Sequence, residues 1–165
     1  MNPRNRKALS VALLLGAMVA PARALEIGAP APALALPDAG GTPLPPANGQ
    51  VRLVDFWASW CGPCRHSFPW MNAMQQKYGA QGLQIVGVNL DEERADADGF
   101  LAKIPASFQI VFDPSGQTPA AWAVKGMPTS YLISRDGKVL WQHLGFSQAD
   151  APELEAAIKT AVGAP

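Results

Sequence analysis

Cys61 and Cys64 are the only cysteines in a chain of 165 residues, and Gly62 and Pro63 separate them. Two thiols this close can close a small disulfide ring or present one sulfur as a nucleophile. Which one attacks depends on where the pair sits. The thiolate is the reactive form, and a helix N-terminus favours it through unpaired backbone N–H groups and the positive end of the dipole. Residues 51–57 are apolar and β-rich, a buried strand, and residues 63–78 carry Phe68, Met71, Met74 and Tyr78 at helical spacing. A pair between strand and helix puts Cys61 at the helix N-terminus and Cys64 one turn inside, more buried. Cys61 is therefore expected to attack a substrate disulfide, with its pKa below the free value of ~8.5. Cys64 is expected to resolve the mixed disulfide. Pro63 suits the first helical positions. A purely structural disulfide closing so short a loop would stabilise little. A metal site of Cys61, Cys64, His66 and His143 is a second reading, with unusual spacing. Haem attachment is not one, because Arg65 stands where a histidine is needed.

The elements that must position this pair alternate. A second buried strand is predicted over 83–90, a polar-faced helix over 92–103 and a short strand over 109–112, closed by a turn at 113–116. A short helix follows over 118–124. Residues 129–134 and 139–144 read as a hairpin around Arg135, Asp136, Gly137 and Lys138. A closing helix covers 151–162. Pro69 should kink the first helix. Asp91, Glu92 and Glu93 read as a helix start, where acids suit the macrodipole. The pattern is α/β: a central mixed sheet covered on both faces.

Residues 25–50 contain six prolines, from Pro30 to Pro46, and cannot be helical. They read as an extended leader with one hairpin at residues 38–41. Residues 1–24 have the three parts of an export signal: Arg4, Arg6 and Lys7, an apolar run over 8–20, and the small residues Ala22 and Ala24. The run is shorter than the ~20 residues of a spanning helix; a buried helix or an uncleaved anchor facing the periplasm are the alternatives. The whole chain balances 13 basic against 13 acidic residues. A chain beginning at Leu25 would carry a net charge of −4. Neither value argues for nucleic acid. Two cysteines also exclude a disulfide-rich scaffold and a four-thiolate zinc site. The domains expected are therefore a signal peptide (1–24), a proline-rich extension (25–50) and one folded domain (51–165).

The segment from Val54 to Cys64, VDFWASWCGPC, resembles the thioredoxin active site. Pro69 matches that family's helix kink, and Gly126, Met127, Pro128 and Thr129 match its cis-proline loop. The separation from Cys61 to Pro128 is longer than in thioredoxin, and the extra length over 91–112 resembles the insertion of the TlpA/ResA group of secreted proteins. The leader and residues 128–141 resemble that group too. The resemblance implies a thioredoxin fold with an N-terminal extension and a central insertion. It implies that Asp55 is a buried acid that accepts the proton of Cys64, its pKa raised by desolvation. Pro128 would keep the surface beside Cys61 open. Trp60, Gly62, Pro63, Met127 and Thr129 would meet the substrate, with the Met127 backbone pairing an extended segment. Trp57 is expected to pack beneath.

Two departures stand out. Ser67 occupies the position where ResA-like proteins carry a glutamate, and Gly87 the position of a thioredoxin lysine near the buried acid. The loop Gly126-Met127-Pro128-Thr129 also differs from that of the CcmG-type reductases. The resemblance implies a periplasmic, monomeric thiol-disulfide oxidoreductase whose only redox group is the Cys61–Cys64 disulfide, without metal or other cofactor. The Gly62-Pro63 dipeptide is that of thioredoxin, near −270 mV, and suggests a reductase. Its electrons would come from a membrane thiol transporter of the DsbD or CcdA type. Its clients would be exported proteins, apocytochrome c plausible among them. A disulfide oxidase or isomerase, a copper-delivery module and a peroxidase are the rival readings.

Overall fold

The structure is a computed structural model and describes residues 25–37, 41 and 49–164. The expected export signal and most of the expected hairpin at 38–41 lie outside the described residues. Five strands and four helices follow in chain order: β1 (Val51–Trp57), α1 (Cys64–Tyr78), β2 (Leu83–Asn89), α2 (Arg94–Leu101), β3 (Gln109–Phe112), α3 (Gln117–Ala121), β4 (Thr129–Ile133), β5 (Val139–Leu144) and α4 (Ala151–Gly163). The expected elements are present, with ends shifted by a few residues. The helix expected over 92–103 is shorter at both ends, and that over 118–124 starts earlier and ends at Ala121.

The sheet order is β3-β2-β1-β4-β5. β1 pairs parallel with β2 and antiparallel with β4, and β3 and β5 are the edges. The insertion supplies α2 and β3, so it widens the sheet by one parallel strand. β1 is buried along its whole length, Arg52 and Asp55 included, which is why its sequence is apolar on both faces rather than alternating. Its alternation sorts residues between two cores. Leu53 and Trp57 join Phe68, Met71 and Tyr78 of α1, Phe100 of α2 and Ile158 of α4 on one face. Trp57, Phe68 and Phe100 form a triangle of rings, each pair 4.8–4.9 Å between centroids. Such pairs add about 0.5–1.5 kcal/mol each beyond burial.

Val54 and Phe56 point to the other face, with Val86, Val88, Trp122 and Tyr131. Here the cover is the proline-rich leader, whose Leu25, Ala31, Leu34 and Leu36 pack on that core. The leader is pinned by backbone bonds to the hairpin: Gly28 and Ala31 N–H groups donate to the carbonyls of Val139 and Gly137. Extended chain can lie there because its spare backbone groups pair with the sheet edge or stay wet.

The end of the domain away from the cysteines is fastened by Arg135 in the β4–β5 turn. Its guanidinium donates to the carbonyls of Gly49 (2.8 Å), Val162 (3.0 Å), Gln81 and Ala164. Gly82 sits at φ +95°, and a Cβ there would lie 2.9 Å from Nη1 of Arg135. Only glycine fits both requirements.

Candidate active site

The strand β1 ends at Trp57, the chain turns over Ala58, Ser59 and Trp60, and α1 begins. The Cys61 N–H donates to the Ala58 carbonyl at 3.1 Å, which closes this turn. Pro63 is the residue before the helix, already at helical φ −60° and ψ −28°. Its ring removes a donor that would have had no partner in the first turn. Cys61 and Cys64 form a disulfide with their Cα atoms 5.4 Å apart. The Cys64 N–H donates to the Cys61 sulfur at 3.3 Å. Cys61 is thus held against the helix N-terminus, as the spacing predicts. Cys64 is fully buried and Cys61 nearly so.

Around the pair, the structure sorts the expected site residues into surface and support. Trp60 is 71% exposed, a large apolar side chain in water beside the reactive sulfur. Gly62 and Pro63 are exposed as well. The Met127–Pro128 peptide bond is cis. Phe56 lies opposite Thr129 across β1 and β4, which brings Pro128 to the sheet end that carries the cysteines. Met127 packs against the same core as Cys61 and Cys64. Thr129 is a correction: expected to meet substrate, it is buried, and its hydroxyl donates to the Gly126 carbonyl at 2.6 Å. It shapes the loop from behind. Leu144, which the sequence reading did not single out, is 60% exposed and lies beside Gly126. Arg65 and His66 face solvent, and Arg65 donates to the Ser59 carbonyl.

Asp55 is 1% exposed, and burial pushes its carboxyl up to about 7; a hydrogen bond from Ser130 opposes the rise. Ser130 Oγ donates to Oδ2 at 2.6 Å, and Oδ1 has no hydrogen-bond partner among the described residues. Gly87 is directly across β1 and β2 from Asp55. A side chain at Gly87 would meet Ile110, Phe108 and the Trp57 indole within about 3 Å. The place of a cationic partner is therefore filled by rings and an isoleucine. Ser67, in place of a glutamate, is buried and donates back to the Cys64 carbonyl.

Asp91 is the second correction. Read as part of a helix start, it lies before α2 and is buried. Its carboxylate accepts from the Ser59 N–H at 2.9 Å, the Ser59 hydroxyl at 2.9 Å and the Asn89 side-chain amide at 2.7 Å. It braces the turn that carries Trp60 and Cys61. Nothing local in the sequence marks this, because its main partner is 32 residues away.

Among the described residues, no three His, Cys, Asp or Glu side chains gather as metal ligands would. The alternative set of Cys61, Cys64, His66 and His143 is not assembled.

Residues 26–158 match the family model described as Redoxin. The chain belongs to the Redoxin family. It is 34% identical over 118 residues to the thiol-disulfide oxidoreductase ResA of Geobacillus thermodenitrificans, covering 70% of this chain and 68% of that one. To ResA of Bacillus subtilis it is 31% identical over 129 residues, covering 77% and 72%. Among solved structures it is similar to a Chlorobium tepidum protein assigned as thiol:disulfide interchange protein DsbE. That similarity is 57% identity with a TM-score of 0.82, over 85% of this chain and all of the other. StoA of Bacillus subtilis, at 23% identity and TM-score 0.64 over 76% and 95%, shares the fold. The Redoxin chain described here is a thioredoxin-fold thiol-disulfide oxidoreductase, and the Cys61–Cys64 disulfide is its redox centre.

Proposed function

We propose that this enzyme works as a reductase of disulfides in exported proteins, in the periplasm, with Cys61 as the attacking sulfur. The observation that carries the assignment of Cys61 is its place at the start of α1, where its sulfur accepts the Cys64 N–H. A negative charge on that sulfur is favoured by the same donor and by the helix dipole. The reduced enzyme attacks a client disulfide through the Cys61 thiolate, and one client sulfur leaves as thiolate. Asp55 takes the proton from Cys64, and the Cys64 sulfur attacks the Cys61 sulfur. The Cys61–client bond breaks, and the client leaves with two thiols while the enzyme keeps the Cys61–Cys64 disulfide. Client chain lies along the Met127–Pro128 loop, with Trp60 and Leu144 as its apolar contacts.

Apocytochrome c, whose cysteines must be reduced before haem is attached, is one such client. Electrons return from a membrane dithiol donor of the DsbD or CcdA type. Residues 1–24 direct export as a signal peptide, and residues 25–50 form an extension of the domain that follows. Among the described residues no helix is long and apolar enough to cross a membrane.

The test is Cys64→Ser in the exported protein. It should accumulate a mixed disulfide through Cys61, and mass spectrometry of the conjugate identifies the client. If Cys61→Ser traps client and Cys64→Ser does not, the order of the two sulfurs is reversed. A reduction potential well above about −200 mV would replace the reductase reading with that of an oxidase or isomerase.

A further inference from the structure

The proton step has a feature that the cysteine pair alone does not explain. Asp55 has two oxygens in different states: Oδ2 is held by Ser130, and Oδ1 is buried without a partner among the described residues. An unpaired buried acceptor is costly, and it is the atom most ready to receive a proton. Ser130 itself is buried, and it borders a narrow apolar cavity with Leu53, Trp70, Trp141 and Leu154 that has no room for a water molecule. The hydroxyl is therefore shielded from water and directed at Asp55.

We propose that Ser130 is a positioning residue for the resolving step. By occupying Oδ2 it leaves Oδ1 as the atom that takes the Cys64 proton, and it sets the pH range in which Asp55 can act as a base. The inference rests on the reading of Asp55 as proton acceptor and deepens it. In the step, the Cys64 S–H bond breaks and its proton moves to Oδ1. The freed sulfur pair forms the bond to Cys61, and the electron pair of the Cys61–client bond leaves with the client sulfur.

The surroundings of Asp55 make Ser130 the group able to do this. Gly87 on β2 offers no side chain, and the α2 and α4 residues in this core are apolar, among them Phe100, Ile158 and Val162. From α1 the titratable groups in this core are Cys64 and, at the helix's other end, Tyr78, whose hydroxyl is engaged by Glu155; Cys61 lies just before the helix. On β5, His143 is opposite Ser130, one strand farther from Asp55, and its Nε2 lies 3.6 Å from Asp150 near the surface. A hydroxyl that donates to a carboxylate favours the ionised form. Removing it should make Asp55 hold its proton to higher pH.

The experiment compares the full-length enzyme with Ser130→Ala, Ser130→Thr and Ser130→Val, and with Asp55→Asn. The rate of client-thiol release from the mixed disulfide is followed from pH 5 to 9. The Asp55 carboxyl is titrated by carbon NMR in the same proteins. Ser130→Ala and Ser130→Val should move both midpoints up by about one pH unit and slow release near pH 6.5 by up to about tenfold. Ser130→Thr should keep the wild-type profile. Thr and Val have nearly the same shape, so a packing defect would affect both alike. Unchanged midpoints in the Ala and Val variants, with the pH step still absent in Asp55→Asn, would overturn the role of Ser130 alone. An Asp55→Asn profile identical to wild type would overturn the role of Asp55 and this inference with it.

Discussion

Two buried carboxylates flank the reactive pair, and their surroundings are opposite. Asp91 stands beside the turn that carries Trp60, and it accepts from a backbone N–H, a hydroxyl and an amide. Asp55 lies in β1 on the cysteine side of the sheet, with one donor for two oxygens among the described residues. Each donor to a carboxylate lowers the cost of burying the charge. Asp91 is thus a structural brace, and burial raises the Asp55 carboxyl to about 7. The two acids are alike in burial and differ in the number of donors that meet them.

The same substitution should therefore have opposite signs at the two sites. Asp55 has its carboxyl raised to about 7 in the fold, against 3.8 as the ordinary value. The unfolded chain gives up this proton first, so the fold loses stability as pH rises from about 4 to 7. The penalty levels off above that at about 4 kcal/mol. Asp55→Asn should consequently stabilise the oxidised protein at pH 8, by up to that amount, and give no gain at pH 4. Denaturant unfolding at the two pH values measures it. An equal gain at both would mean that ionisation of Asp55 is not its source.

Asp91→Asn should destabilise at pH 8 by about 2 kcal/mol, because a donor now stands where charge-assisted acceptors were. The same unfolding experiment reads this, and faster hydrogen exchange at the Ser59 amide would localise it. A neutral or stabilising outcome would break the contrast between the two acids. Ser59→Ala removes one of the donors and should cost about 1 kcal/mol. Its effect should shrink in the Asp91→Asn background, and strict additivity of the two would deny that they act through one network.

How far each acid could be read beforehand follows from what holds it. Asp55 lies in a strand rich in apolar residues and inside the segment, Val54 to Cys64, that carries the resemblance, so its burial was legible. Its low donor count was not, because Ser130 reaches it only through the β1–β4 register. Asp91 looked like part of an ordinary helix start, and Glu92 and Glu93 do remain exposed before α2. What removed Asp91 from that role is a contact with Ser59 across the top of the sheet, which no local period encodes. Gly87 was legible as a departure. Its reason, the packing of Trp57, Phe108 and Ile110 into the vacated space, needed coordinates. The strands and helices themselves came through nearly intact, because their signals are local. The leader's task of roofing the second core did not, since extended chain has no amphipathic period by which to announce a partner.

The far end of the domain follows a different logic. Among the described residues every acceptor of the Arg135 guanidinium is a main-chain carbonyl, so it recognises the course of the chain and not the identity of its residues. Positions 49, 81, 162 and 164 are free to drift as far as this contact is concerned, provided the backbone keeps its path. Arg135 and Gly82 are not free, because one supplies the fork and the other the space for it. The molecule thus divides its tolerance for change: at the cysteine end several short side chains bond both backbone and one another, and at this end shape is read by a single arginine.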